Sequence, residues 1–340
     1  MNQLSVVIPC RNEAPFITEC IEAIYAAQLP SDTELSVFVV DGMSTDATRE
    51  IVLELTNRYP SLALIDNTKQ LTPFAFNLGI HAKPCDYVQI IGARHIISEN
   101  YLINNLQTLQ KDSSIWCVGG KIINEYVNPT GKVISLAMAT QLGMGIGNFR
   151  TLKNSGFTDT VTSPMYPYWV FEKIGFFDEE LIRNQDDDFN YRVTKAGGKI
   201  YFDASISLKY YVRGDYKNLW KQFFQYGYWK VFVNKKHKAV TTFRQLIPPL
   251  FTFYLLLNAL SWLIGGYFAF IGTLPLFLYL GLVTYVSYDI QQSNKELKLW
   301  DIFKTFPILH VGYGLGYLNG IWDFIILKKS PSEKQKMLSR

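Results

Sequence analysis

The 340-residue chain is poor in the side chains that build metal clusters and disulfide frameworks, with four cysteines and four histidines. Cys10, Cys20, Cys85 and Cys117 show no CxxC spacing and no neighbouring histidine pair. That argues against a cysteine zinc site or a disulfide scaffold and leaves small buried thiols as the reading. A strong charge of one sign is lacking as well: the formal net charge is +4. The basic residues form no stripe suited to nucleic acid, so none is expected as a partner; they gather around hydrophobic segments, as they do on the cytoplasmic side of membrane spans. The opening stretch MNQLSVVIPCRNE has no basic start followed by a long apolar run. The first domain is therefore expected to stay in the cytoplasm.

Hydrophobic residues are abundant, at 48% with 15% aromatics, and their excess is concentrated after residue 244. A soluble part followed by a membrane part is expected. In the soluble part, Leu4 to Pro9, Leu35 to Val40, Leu62 to Ile65 and Tyr87 to Ile91 are short apolar runs suited to buried strands. Between them, Ala14 to Ala26, Ala47 to Tyr59 and Pro73 to Lys83 show helical spacing, the second capped by Thr45 or Asp46. This alternation predicts an α/β fold with a mostly parallel sheet, helices on its faces and right-handed crossovers. Ligands of such sheets bind beyond the carboxyl ends of the strands. That rule lines up Pro9 to Glu13, Asp41 to Asp46 and Gly92 to His95 along one rim. Past residue 115 the pattern loosens, with a helix beginning near Asp187 and a stretch containing Gly143, Gly145 and Gly147 that reads equally as an acceptor loop or a linker.

Three clusters could carry chemistry. Asp41 ends an apolar strand, where a carboxylate must be solvated, paired or bound. It reads either as an Asx turn or as an acceptor for a uracil or ribose. In Asn184-Gln185-Asp186-Asp187-Asp188, three adjacent carboxylates repel one another, so a raised pKa, a metal or a nearby cation is expected. The cluster suits a helix N-terminus, and it also offers Asp186 as a general base for an acceptor hydroxyl. Gln222 to Lys230 is aromatic-rich and reads first as an interfacial belt, with stacking on a base or sugar as the alternative.

The runs Ser5 to Glu13, Val39 to Asp46, Phe176 to Glu180 and Arg183 to Arg192, followed by Gln225-Tyr226-Gly227-Tyr228-Trp229, together resemble a family 2 glycosyltransferase of the GT-A type, of the succinoglycan exopolysaccharide kind. The resemblance spans about residues 3 to 235. It implies that Pro9, Glu13, Asp41 and Lys69 line a nucleotide-sugar pocket supported by Asn77. It also implies Asp186 as the base of an inverting displacement, with Asp187, Gln225 and Trp229 on the acceptor and diphosphate side. Members of the family hold Mn²⁺ or Mg²⁺ through an Asp after the fourth strand. Here Gly92 replaces it, so metal binding is expected to be weakened or absent, with Arg94 as a substitute cation and His95 as a loop residue. Thr162 to Tyr168, an acceptor-side loop by the resemblance, departs from the family in carrying two prolines and two tyrosines.

Leu246 to Tyr288 is nearly uncharged and long enough for two spans joined near Gly265-Gly266 or Gly272-Thr273. Basic residues on both sides fit a hairpin with its ends in the cytoplasm. Phe306 to Leu327, interrupted by glycines and containing His310 and Asp323, is expected to be re-entrant or interfacial, with a third span as the alternative. The domains expected are thus a GT-A domain over 1–240, a membrane hairpin over 245–288 and a third hydrophobic helix over 300–328. The expected function is sugar transfer from a nucleotide sugar to a lipid-linked or polysaccharide acceptor, at the cytoplasmic face of an inner membrane. A degenerate scaffold subunit of a polysaccharide assembly complex is the rival.

Overall fold

The structure is a computed structural model that describes residues 1–145, 150–212, 214–265 and 267–331. Gly147 and Gly266, singled out above, lie outside the described residues. The chain begins β1 (Asn2–Cys10), α1 (Ala14–Ala26), β2 (Thr33–Asp41), α2 (Thr48–Thr56), β3 (Leu62–Asp66), α3 (Thr72–Ile80) and β4 (Tyr87–Ile90). It continues through β5 (His95–Ile97), α4 (Tyr101–Lys111), β6 (Ile115–Tyr126), α5 (Pro129–Met138), α6 (Gln141–Met144), β7 (Gly156–Thr158) and β8 (Thr162–Pro167). Then come α7 (Tyr168–Ile174), α8 (Gln185–Lys195), β9 (Lys199–Val212), α9 (Tyr216–His237), α10 (Ile247–Ile264), α11 (Tyr267–Gly272), α12 (Leu274–Ser293) and α13 (Leu299–Gly320).

These elements form two compact units, Met1–Glu125 with Gly147–Tyr211, and Tyr126–Ile146 with Val212–Arg340. The division differs from the boundary expected at 240, because α9 packs on α13.

The first unit is built on a sheet of order β3-β2-β1-β4-β8-β6-β9-β5, with β7 on β9. β1 lies between β2 and β4, parallel to both, and β2 is parallel to β3. A strand so placed is covered on both faces, which is why its run is almost continuously apolar. Leu4, Val6 and Ile8 face Ile17, Ile21 and Ile24 of α1 and Leu102, Leu106 and Leu109 of α4. Val7 points the other way, toward Val88, Phe171, Phe177 and Phe189. Beyond β4 the sheet turns antiparallel through β8. The stretch Thr162 to Tyr168, expected as a loop, is therefore a strand in mid-sheet that runs into α7. Its Pro164 falls between the two residues of β8 that pair with β6, where the register shifts and a missing N–H is tolerated. Cys10, Cys20 and Cys117 are buried free thiols and Cys85 is half-buried.

In the second unit, α10 and α12 make up most of the two stretches long and apolar enough to cross a membrane, Phe243–Leu263 and Ala269–Ser293. The chain turns at Gly265, passes through α11 and turns again at Thr273. The third hydrophobic stretch is the long helix α13 followed by a π-helical turn, Ile321–Ile326. Its His310 and Asp323 are both partnered. Tyr228 donates to Asp323 at 2.8 Å. His310 lies 2.9 Å from the Tyr279 hydroxyl and 2.9 Å from the Leu142 carbonyl.

Gly312, Gly316 and Gly320 share one face of α13, spaced four residues apart, and that face lies on α9. A Cβ on Gly316 would run into the Phe224 carbonyl, and one on Gly227 of α9 into the Tyr313 carbonyl. Small residues let the two backbones approach this closely. Gly316→Ala is accordingly expected to lower stability by about 1–3 kcal/mol through overpacking. Gly281→Ala, whose Cβ meets nothing within 4 Å, should change it by less than about 1 kcal/mol. Unfolding of the two variants in the same detergent distinguishes them; equal losses would remove the packing argument.

Candidate active site

The rim at the carboxyl ends of the parallel strands is organised around Asp41. β1 and β2 end in register, Pro9 opposite Val40 and Cys10 opposite Asp41. Asp41 is fully buried. Its carboxylate accepts from the Ser44 amide at 2.9 Å, from the Ser44 hydroxyl, from the Cys10 thiol at 3.7 Å and from Arg49 Nη1 at 2.8 Å. Burial alone would raise its pKa, but the Ser44 hydroxyl and amide and the Arg49 guanidinium outweigh burial and hold it below the ordinary carboxylate value. Burial, with Asp41 beside it, pushes the Cys10 thiol well up, so it stays protonated and donates.

Arg49 reaches past Asp41 to Asp66 at the end of β3, with Nη2 2.8 Å from its carboxylate. A cation in the first turn of α2 opposes the helix macrodipole; the two carboxylates offset that. The neighbouring loops are stitched to the same network. The Asn12 amide donates to Ser44 Oγ at 2.8 Å, and the Thr45 amide to Asn12 Oδ1 at 2.8 Å. Asp46 accepts from the Thr48 amide at 3.0 Å and the Ala14 amide at 3.3 Å, so one carboxylate serves the starts of both α2 and α1. Asn12, Met43 and Gln70, in the loops after β1, β2 and β3, all adopt left-handed backbone, with φ of 55°, 57° and 58°. Conformations of that kind persist where surrounding bonds over-determine them.

Glu13 and Arg94 form a second, separate pair, 2.6 Å apart and both largely buried. The Glu13 amide donates to Thr48 Oγ1 at 2.9 Å, which ties the pair to α2. Lys69 is exposed in the turn after β3. Asn77 of α3 is buried and staples the segment after α7: it donates to the Phe177 carbonyl and to Glu179, both at 2.9 Å, and accepts from the Phe177 amide at 3.0 Å.

Asp186 is exposed in the first turn of α8, Asp187 half-buried and Asp188 buried. The nearby cation expected for this cluster is Arg192, which pairs with Asp188 at 2.9 Å. The same guanidinium donates to the carbonyls of Ile174, Gly175 and Phe176 at 2.7, 3.0 and 2.8 Å. It clamps the start of α8 to the end of α7. Asn190, one turn past Asp186, donates to Thr160 at 3.1 Å, just before β8. The buried Tyr166 titrates well above its ordinary value, first through burial, with the Asp186 charge contributing in the same direction. Gln225 and Trp229 belong to α9 in the second unit, where both are buried and Trp229 packs edge-on against Phe232.

The loop after β4 does not fit a divalent ion. Gly92 brings no ligand, and a Cβ there would sit 3.3 Å from the His95 ring. That imidazole is engaged by Ser163 Oγ at 2.6 Å. Among the described residues no group of three or more His, Cys, Asp or Glu side chains gathers to hold a metal.

The Glycosyl transferase family 2 model matches residues 5–175, which include this whole rim. The chain belongs to that family. It is 31% identical over 234 residues, 67% of this chain and 72% of the relative, to a dolichyl N-acetyl-α-D-glucosaminyl phosphate 3-β-D-2,3-diacetamido-2,3-dideoxy-β-D-glucuronosyltransferase of Methanococcus voltae. It is 28% identical over 248 residues, 72% of this chain and 73% of the relative, to the succinoglycan biosynthesis protein ExoA of Rhizobium meliloti. Its fold is similar to a mannosyltransferase of Pyrobaculum calidifontis solved with GDP-Man and Mn²⁺, with TM-score 0.62 and 18% identity over 94% of this chain and 87% of that one. The α/β sheet is thus of the GT-A kind, and the protein is a transferase that uses a nucleotide-sugar donor.

Sequence reasoning passed over Arg49 and Arg192. A cation at the start of α2 was the one available signal for the first, and the i,i+4 spacing from Asp188 for the second. Because the folded chain holds Asp41 below the ordinary carboxylate pKa, its stabilising effect is complete above that ordinary value and is lost as pH falls through the folded-state pKa. Arg49→Met is expected to destabilise by on the order of 3 kcal/mol at neutral pH, with the gap to wild type closing as acid protonates Asp41. Urea unfolding from about pH 7 down to about pH 3 reads this; a gap that does not depend on pH would refute it.

Proposed function

We propose that this family 2 transferase is membrane-associated and inverting, and that it moves a sugar from a uridine-diphosphate donor to a lipid-linked or polysaccharide acceptor in exopolysaccharide, capsule or related glycan synthesis. The observation that carries the reading is the pairing of a braced nucleotide rim with an exposed carboxylate on a clamped helix. Pro9, Glu13, Asp41, Lys69 and Arg94 are assigned to the donor side, with Asn77 as a support. Asp186 is assigned as the base: it is exposed, and the Arg192 clamp and the Asn77 staple restrain the segments around it. It would take the acceptor hydroxyl's proton as that oxygen attacks the anomeric carbon and the bond to the diphosphate breaks. Asp187 is assigned to the acceptor and diphosphate side.

The two apolar helices support a membrane location, and the basic residues on both sides of them favour a catalytic unit facing the cytoplasm. A hairpin there would hold the site within reach of lipid headgroups. Metal is the point at which the reading departs from the mannosyltransferase complex with Mn²⁺. The loop that would have to hold Mn²⁺ or Mg²⁺ presents a glycine, an arginine and an engaged histidine. Family membership and an exposed Asp186 favour an enzyme over a scaffold.

Purified protein supplied with a panel of nucleotide sugars and polyprenyl-phosphate or polyprenyl-diphosphate acceptors is expected to transfer sugar with inversion. Asp186→Asn should lower kcat by roughly 10²–10⁴-fold while leaving donor affinity nearly unchanged. Full activity in that variant would remove Asp186 as the base, and no turnover with any donor would restore the scaffold reading.

A further inference from the structure

When a nucleotide sugar reacts, negative charge builds on the departing diphosphate, and a preorganised positive group lowers the barrier. A hard divalent ion would meet that need through carboxylate oxygens, which the side chains of the Gly92–His95 loop do not present. His95 sits 3.3 Å from where a Gly92 side chain would begin and bonds to Ser163 instead, so the position is closed as well as empty of carboxylate.

A cation is nonetheless built into this loop. Arg94 is 9% exposed. Its Nε bonds to Glu13 at 2.6 Å, and its guanidinium carbon lies 5.3 Å from the centre of the Phe16 ring. Glu13 is itself held at the start of α1 by its amide's bond to Thr48. Among the described residues, Nε is the one guanidinium nitrogen of Arg94 that makes a side-chain hydrogen bond. Both terminal amino groups keep their donors, coplanar and spaced as a fork that fits two phosphate oxygens. Glu13 thus takes Nε and leaves the two terminal amino groups for a ligand.

Resting on the transferase reading, we propose that Arg94 is the diphosphate-binding cation of this site and that donor binding and departure proceed without a divalent ion. Glu13 and Phe16 are positioning residues for it. In the transfer, the acceptor oxygen forms its bond to the anomeric carbon as the carbon–oxygen bond to the diphosphate breaks, and that electron pair stays on the diphosphate oxygen. The acceptor's proton goes to the base. Arg94 remains protonated throughout and contributes hydrogen bonds and charge alone.

The test is calorimetric binding of UDP and GDP to the full chain in detergent, once with EDTA and once with Mn²⁺, with the nucleosides uridine and guanosine in parallel. Affinity for the recognised diphosphate is expected to agree within about threefold between the two buffers. Arg94→Gln should weaken it at least about 10-fold, and Arg94→Lys, a point charge without the fork, should fall between. Nucleoside binding should not change in either variant, which a merely structural role for Arg94 would not produce. Binding seen only with Mn²⁺ would overturn the proposal and leave the transferase reading intact. Equal weakening of nucleotide and nucleoside in Arg94→Gln, or no weakening, would overturn it too. Failure of both nucleotides to bind in either buffer would overturn it together with the donor assignment.

Discussion

A fully buried carboxylate at the end of an interior parallel strand constrains everything around it. Asp41 cannot reach water, and an uncompensated charge there would be untenable. The fold answers with a serine that offers both its amide and its hydroxyl, a thiol and an arginine. Each partner brings further structure with it. Arg49 ties α2 to the end of β3, and Ser44 ties the loop after β2 to the loop after β1. Asn12 tolerates left-handed backbone by itself, whereas Met43, between Asp41 and Ser44, is held there by the network around it. The rim is consequently braced before any ligand arrives, which is the condition under which binding energy is not spent on ordering loops.

The helix that presents Asp186 is held by other means. Arg192 closes on Asp188 and on three successive carbonyls at the end of α7, and Asn77 bonds both ways with the segment in between. Polar bonds to backbone carbonyls fix position without relying on surface ion pairs, which hold little. A site assembled from independently braced parts tolerates exchange of one part. The loop after β4 illustrates this, with Gly92, Arg94 and His95 forming an arrangement unlike that expected of a carboxylate-held metal while the Asp41 network stays whole.

Much of the first unit was legible in the sequence because its strands are buried on both faces and its helices are amphipathic. The expected Ala14 to Ala26 helix is α1 to the residue. Helix α2 begins at Thr48, with Asp46 bonding the Thr48 amide as expected of a cap, although it also serves α1 across 32 residues of chain. That second role had no local signature. Thr162 to Tyr168 was read as a loop from the family resemblance, whereas Thr162–Pro167 is a strand in which the register shift beside Pro164 makes room for its missing N–H. Asp41 kept two readings, and the structure realises the Asx-type turn through Ser44 alongside its place on the rim.

The sequence alone determined the α/β alternation, the rim on which Asp41 and Glu13 lie, the acidic start of α8 and the apolar pair of helices, since each follows from local periodicity or from a contiguous motif. Tertiary structure decided what those residues face: that Arg49 joins Asp41 to Asp66, that Glu13 takes Arg94, and that α9 packs on α13. The reason is physical. Burial and hydrogen-bond period are written into neighbouring residues, whereas the partner of a charge or of a glycine face is brought from far along the chain, and only packing selects it.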